Sequence, residues 1–372
     1  MPPNTASHAC VTALTGCGTL AGVRLRLTAF LTLVLLTSCA SEPAPPTAPF
    51  TRVDLPAGAV PVRLAASGDD LVIAVRKGDK PGLIRHRHGA NTELTLVPAT
   101  GYGAQALWYS LAATGTEILA IGGKRGGAHG NVRWSVWRGD TTVAEQPQVF
   151  STFGGLGAGD LVDGVLPTSG PLIVGTWQSA SAGSDTALWK TDGTTWTRQS
   201  SAGTALESTR AALTFPMAAA ADGADVVVVG WQFADRRQQP VVWTLHDGTA
   251  SVAPLPDAGR LGVATSVTCA DTCAIAGRVD GRLAVWRRAG NAWRRVADVP
   301  DVPVGDQDRP PAPVADTLVY GDRGTVRIAT LGGNVRDASG PTGVVTAVAR
   351  VGDTTYVLAG PDNNNQTLWR AD

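Results

Sequence analysis

The chain has 372 residues, and its 31 basic and 31 acidic side chains cancel, so no broad electrostatic field points to nucleic acid or an anionic membrane surface as partner. Apolar residues reach 44%, enough for a large core, and the 44 Gly and 24 Pro are too many for one short tail to hold, which argues against a disordered chain. Eleven Trp against four Tyr is an unusual balance, and the Trp prove to be periodic.

Arg24 and Arg26 precede an apolar run over 27–36, the layout of an export signal and too short to span a bilayer stably. The run ends in Leu36-Thr37-Ser38-Cys39, which resembles the bacterial lipobox. The resemblance implies that the Cys39 thiol carries diacylglycerol and that the signal is cut just before it. The protein is then expected to face outward from the cell membrane, held there by lipid on Cys39. Residues 1–38 are read as the signal peptide, 39–49 as a semi-rigid Pro-rich tether that cannot build a core, and 50–372 as the folded domain. Residues 1–22 are a long polar preface, whereas "VRLRLTAFLTLVLLTSC" is a complete signal by itself, so translation is expected to start at Val23.

From residue 60 onward, short β-branched runs alternate with Gly, Asp and Pro, the pattern of strands and turns. One unit recurs: an apolar strand ending in Gly, a polar loop, then a strand ending in Trp. "EILAIGG", "PLIVGTW", "DVVVVGW", "CAIAGRV", "TLVYGDR" and "YVLAGPD" align on Gly122, Gly175, Gly230, Gly277, Gly321 and Gly360, 39 to 55 residues apart. "LVIAVRK" fits one step earlier, with Val75 in place of the glycine. The next strand carries Trp137, Trp189, Trp243, Trp286 and Trp369; one unit lacks its Trp, and "TVRIATLGG" at 325–333 fills that place.

Each unit fits four antiparallel strands, a to d, expected in the fourth unit at 213–219, 226–230, 241–245 and 251–255. Such units at this period are the signature of β-propeller blades. A twisted sheet with two apolar faces buries both by packing radially, and the Trp fills the widening gap between blades. The expected fold is therefore all-β, a seven-bladed β-propeller. Six blades is the alternative, because the sixth unit (305–340) shows no clear strand a. The last unit stops at "TLWRAD", directly after its strand c, while "FTRVDLP" (50–56) resembles the d strands "AWRRVADVP" and "WTRQSS". Residues 50–55 are thus expected to supply the last blade's outer strand and close the ring, with the protein working as a monomer.

In the fifth unit, "SVTCADTCAIAG" sets Cys269 and Cys273 on either side of a three-residue a–b turn. Opposed hairpin residues have Cβ atoms about 4.5–5.5 Å apart, within reach of a disulfide that would persist outside the membrane. The competing reading, a metal site, finds no third or fourth ligand nearby. The stretch resembles a "C…C-A-V-G" element of exported repeat proteins from high-G+C Gram-positive bacteria.

Signals of catalysis are weak. The G-x-S-x-G elbow, the P-loop and HExxH are all absent. "GGLGAG" (154–159) opens no helix and reads as a blade link. His86 and His88 in "IRHRHG" fall on one side of a strand but read as an exposed rim. "TDGTTW" (191–196) resembles the Asp box of sialidase-type propellers with one residue missing between Asp192 and Gly193, and reads as a c–d turn. No catalytic residue, metal or cofactor is assigned.

The expected function is a non-enzymatic binding or scaffold module for a protein, glycan or small ligand. The alternative is a glycan-active hydrolase of propeller fold, sialidase-like; a glycosidase in general needs two carboxylates about 5–9.5 Å apart around the scissile bond. The a-strand stretches "PVRLAAS", "ALWYSLAAT" and "GVATSVT" hold no acid, and only Asp163 lies near such a strand. The ligand site is expected on the b–c loops, where Trp177-Gln178 and Trp231-Gln232 should meet beside Lys124, Arg125, Arg236 and Arg237. Flat rings give contact area, and amide and guanidinium donors give orientation, which suits a sugar or a peptide. The alternative is that both rings pack onto their own blades.

Overall fold

The computed structural model describes residues 47–126, 130–149, 151–154 and 158–372. The signal peptide, Cys39, the tether up to residue 46 and residues 155–157 of the Gly-rich link lie outside these. The described chain is all-β and forms seven sheets, one per blade, so the six-blade alternative is set aside. Blade four shows the plan, with a, Ala212–Asp222; b, Asp225–Ala234; c, Arg237–His246; and d, Thr249–Pro254, each antiparallel to the next. Its b and c strands run well past the expected bounds, so that "WQFADRRQQ" is a tall hairpin and not a loop.

Seven hydrophobic clusters lie one between each pair of neighbouring blades. The last joins Leu71, Ile73, Val75 and Ile84 of blade one to Tyr356, Leu358 and Leu368 of blade seven, which makes the ring continuous. Trp137, Trp189, Trp243 and Trp286 are fully buried in these seams. A buried indole N–H gains from a hydrogen-bond partner. Trp189, Trp243 and Trp286 donate to the carbonyls of Thr152, Ala205 and Pro256, so each of these c strands is pinned to the linker entering its blade.

The repeated glycine has a geometric cause. The a strands of blades one to five and seven each carry a β-bulge, the extra residue being Val62, Tyr109, Val162, Met217, Thr265 or Thr346. In blades two to five the glycine of strand b sits opposite the residue before the bulge, where the a-strand backbone swings inward. A Cβ on Gly230 would lie 2.1 Å from the Phe215 carbonyl oxygen, and one on Gly277 2.0 Å from that of Val263. Blade one breaks the pattern with Val75 and compensates across the sheet. Gly82 pairs with Val75, and a Cβ there would meet the valine methyl at 2.9 Å.

Blade six lacks a regular strand a because residues 310–313 read Pro-Pro-Ala-Pro, and proline gives no N–H to a ladder. The segment still lies against strand a of blade five, since Ser266 Oγ and Thr268 Oγ1 donate to the carbonyls of Pro310 and Pro313, both at 2.6 Å.

The N-terminal segment closes the ring as expected and does more. Thr51–Arg52 pairs with Arg370 and Trp369 of blade seven, and the Val53 N–H continues the ladder to the Leu368 carbonyl. Thr47–Pro49, expected to be tether, is a strand instead. It runs parallel to Val335–Thr342 on the outer edge of blade six, with Ala48 buried. Blade two carries a similar extra strand, Thr95–Val97, parallel to its strand d, Thr142–Glu145.

Candidate functional site

The b–c tips and d–a linkers share one end of the ring, the upper end here. One feature there is the long blade-four hairpin, turned by Asp235 and Arg236 alone, both in the left-handed region at φ 50° and 58°. That turn type favours Asn-Gly, so the backbone is strained at the tip. Trp231 stacks on Phe215 of strand a, ring centroids 3.9 Å apart and 10° between planes, while Phe233 is 46% exposed beyond it. Behind the hairpin lies an open groove of about 760 Å³, with Arg237, Gln238 and Gln239 on one side and residues 254–259 on the other.

The expected pairing of the two Trp-Gln steps does not form. Trp177 stands two residues past its glycine and Trp231 one, so strand alternation sends the rings to opposite sheet faces. Trp177 joins the seam between blades two and three, edge-on to Trp189 at 6.2 Å, with the Arg198 guanidinium 4.6 Å above it. Trp231 shares its face with Val227 and Val229, which pack toward blade five. Both rings pack onto their own blades.

Gln178 is exposed at the end of its strand; Gln232 pairs with Gln239 and is half-buried. Lys124 and Arg125 stand on blade two, where Arg125 Nη1 donates to the Gly130 carbonyl of its own loop. Arg236 and Arg237 are exposed on blade four. The eight residues therefore divide among separate places, and only Trp231, Gln232, Arg236 and Arg237 stay together.

The ring's centre holds a feature that the sequence reading noticed only at Asp163. The residue just after each bulge points toward the next blade. Arg63 Nε donates to the Tyr109 carbonyl at 2.9 Å, and the Ser110 hydroxyl donates to Asp163. Asp163 also accepts from its neighbour's amide at Gly164 and from Ala219 N–H of blade four at 3.0 Å. One carboxylate thus ties blades two, three and four. Burial pushes its pKa up, partly offset by the Ser110 bond, the two amides and the Arg63 charge. Burial pulls Arg63 down against the attraction of Asp163. Aligned on the glycine column, Arg63, Ser110, Asp163 and Ser266 fall eleven or twelve positions upstream, a recurring polar position inside an apolar strand.

Other carboxylates hold loops. Glu145, buried, accepts from the amides of Ala99 and Thr100 and from the Thr100 hydroxyl. Asp192 of the "TDGTTW" turn accepts from the amides of Thr194 and Thr195, which lower its pKa. Glu207 takes Gly203 N–H and Ser181, and Asp362 takes Asn364 and Asn365; both are lowered by these bonds. Cys269 and Cys273 pair directly across the a–b turn and are bridged. Asp222 lies beside them, but the disulfide occupies both sulfurs, and the carboxylate is paired with Arg288. His86 is buried between blades one and seven, bonded to Asn91 and edge-on to Tyr356, not on an exposed rim; His88 sits in a left-handed turn, so the two histidines do not share a site.

No family model matches the chain, and no curated protein matches it. Many solved structures do. The chain is similar to the extracellular domain of a two component system from B. thetaiotaomicron (9% identity, TM-score 0.50), covering 86% of this chain and 39% of that one. It is similar to a Mycobacterium tuberculosis puromycin-hydrolyzing peptidase (14%, TM-score 0.52; 86% and 55% covered) and to YCF48 bound to D1 peptide (14%, TM-score 0.53; 89% and 99% covered). The chain spans only about two-fifths and about half of the first two, and all of these likenesses describe the fold alone.

Proposed function

We propose that the protein is a lipid-anchored, outward-facing β-propeller that works as a binding or scaffold module for a protein, glycan or small ligand. The observation that carries this reading is how the carboxylates are used. Asp163, the inner-strand acid expected to discriminate an enzyme from a binder, is spent tying blades together, and Glu145, Asp192, Glu207 and Asp362 cap loops. A glycosidase of the common two-carboxylate kind needs paired acids free to face its substrate.

Chain direction supports the anchored reading. Strand Thr47–Pro49 runs parallel to the outward-and-up d strand of blade six, so the chain enters the ring at the lower end, opposite the b–c tips. Seven residues lie between Cys39 and Thr47, a reach of about 25–30 Å when extended. An anchor at Cys39 would join the ring through this lower-end entry. Cys39→Ala should move the protein from the membrane fraction to the medium; retention with unchanged processing refutes the anchor. A partner should co-purify from detergent-solubilised envelope, and turnover of a glycan or peptide panel that is lost in Asp163→Asn would refute the non-enzymatic reading.

A further inference from the structure

An exposed d strand is a row of unpaired main-chain groups, and proteins shorten, charge or cover such edges. This ring does all three except at one blade. The d strands of blades two and six are covered by Thr95–Val97 and Thr47–Pro49. Blade seven ends in two residues and blade three in three, with an arginine in each; blade one ends in Glu93, and blade five carries Arg294 and Arg295. Blade four alone, among the described residues, ends in a six-residue uncharged strand, Thr-Ala-Ser-Val-Ala-Pro, exposed along nearly its whole length.

Its hydrogen-bonding groups are arranged to receive a strand. Leu255 N–H turns inward to the Pro240 carbonyl, so alternation turns Thr249, Ser251 and Ala253 inward as well. The N–H and C=O of Ala250 and Val252 and the C=O of Pro254 face out. In blade two the segment following the blade-one d strand crosses to cover the next edge; the segment after the blade-three d strand instead stays on its own blade, where Ser201 Oγ donates to the Thr186 carbonyl and Thr186 N–H donates to that of Leu206. That detour leaves the blade-four edge bare.

We propose that this edge docks an extended, uncharged segment of a protein partner as a fifth, parallel strand. The occupant's character comes from the two edges already filled in the same ring. Both fillers run parallel, and both are uncharged and rich in Thr, Ala, Leu, Val or Pro: Thr-Ala-Pro and Thr-Leu-Val. The blade-four edge is itself neutral and offers no charge to select a charged segment. Main-chain bonds supply the affinity, and Val252, 38% exposed, with Ala250 sets which side chains fit on one face. The proposal rests on the binding-module reading and narrows it to a peptide-like ligand.

The test uses a random dodecapeptide phage library panned on the folded chain. Selected peptides should be uncharged and β-prone, and in hydrogen exchange they should slow the Ala250 and Val252 amides. Val252→Pro removes one outward N–H without touching the inner ladder, and Val252→Lys copies the charge guard of blade five. Each should weaken the peptides about tenfold or more, the worth of one or two main-chain bonds, with the melting temperature held. Peptides that bind both variants unchanged, or that protect other residues, overturn the edge while leaving a binding module intact. Failure to select any peptide overturns the proposal. So does a wild-type dimer that Val252→Lys converts to monomer, because the occupant is then a second copy.

Discussion

Replacing Asp163 with Ala should weaken the whole ring far more than replacing it with Asn. Alanine leaves Ala219 N–H and the Ser110 hydroxyl without their acceptor; Gly164 N–H keeps Ser110 Oγ at 3.0 Å. Two buried unsatisfied groups cost about 1–3 kcal/mol each, so the loss is about 2–6 kcal/mol, set against a typical stability of about 5–15 kcal/mol. Asparagine can accept from Ala219 with its oxygen and donate to Ser110 with its amide, and should cost about 1 kcal/mol or less near neutral pH.

The pH dependence has a definite sign. Burial raises the Asp163 pKa above its unfolded value, so between the two values the folded chain holds a proton that the unfolded chain has lost. Its contribution is most favourable below the ordinary carboxylate range and falls as pH rises through the raised value. Urea melts of wild type, Asp163→Asn and Asp163→Ala from about pH 4 to about pH 7 read both effects. The stability of wild type relative to Asp163→Asn should decline with rising pH. Equal midpoints for the two variants, or a gap that does not change with pH, would refute the reasoning.

Phe50 is buried between blades six and seven beside Val319 and Val345, so Phe50→Ala should cost about 3–5 kcal/mol and expose the closing strand to proteolysis; a loss under about 1 kcal/mol would show that the N-terminal strand does not hold the ring. In protein recovered from outside the cell, Cys269 and Cys273 should give no free thiol on denaturation without reductant. Reduction should cost only about 2 kcal/mol, because the bridge closes a very short loop.

The architecture was legible because each blade needs the same few things. A seam between twisted sheets needs a large flat filler, which the Trp column provides, and the inward backbone opposite a bulge excludes a Cβ, which the Gly column records. Blade six was obscure for a physical reason: prolines at 310, 311 and 313 replace the strand that would have shown alternation. Blade four misled in the opposite direction. Polar residues at 236–239 read as a loop, yet a two-residue turn lets them pair as strand on a hairpin that projects above the ring, where no burial imposes an apolar pattern.

Side-chain direction separates what the sequence reading placed well at the candidate site from what it did not. Trp177 and Trp231 were expected on b–c loops but lie on strand b, where a one-residue offset from the glycine reverses the face and alternation carries the rings toward different neighbours. The inter-blade belt was hidden for the converse reason. Arg63, Ser110, Asp163 and Ser266 look unrelated as single residues, and only the bulge that turns each toward the next blade gives them one role. A repeat column in which residue type varies while polarity persists is the trace of such a role. The column is interrupted at blades four and seven, where Ala218 and Ala347 follow the bulge and contribute no side-chain bond to the next blade. Blade four, one of these two, also carries the strained hairpin and the bare outer edge, so a break in the central column and an open rim coincide there.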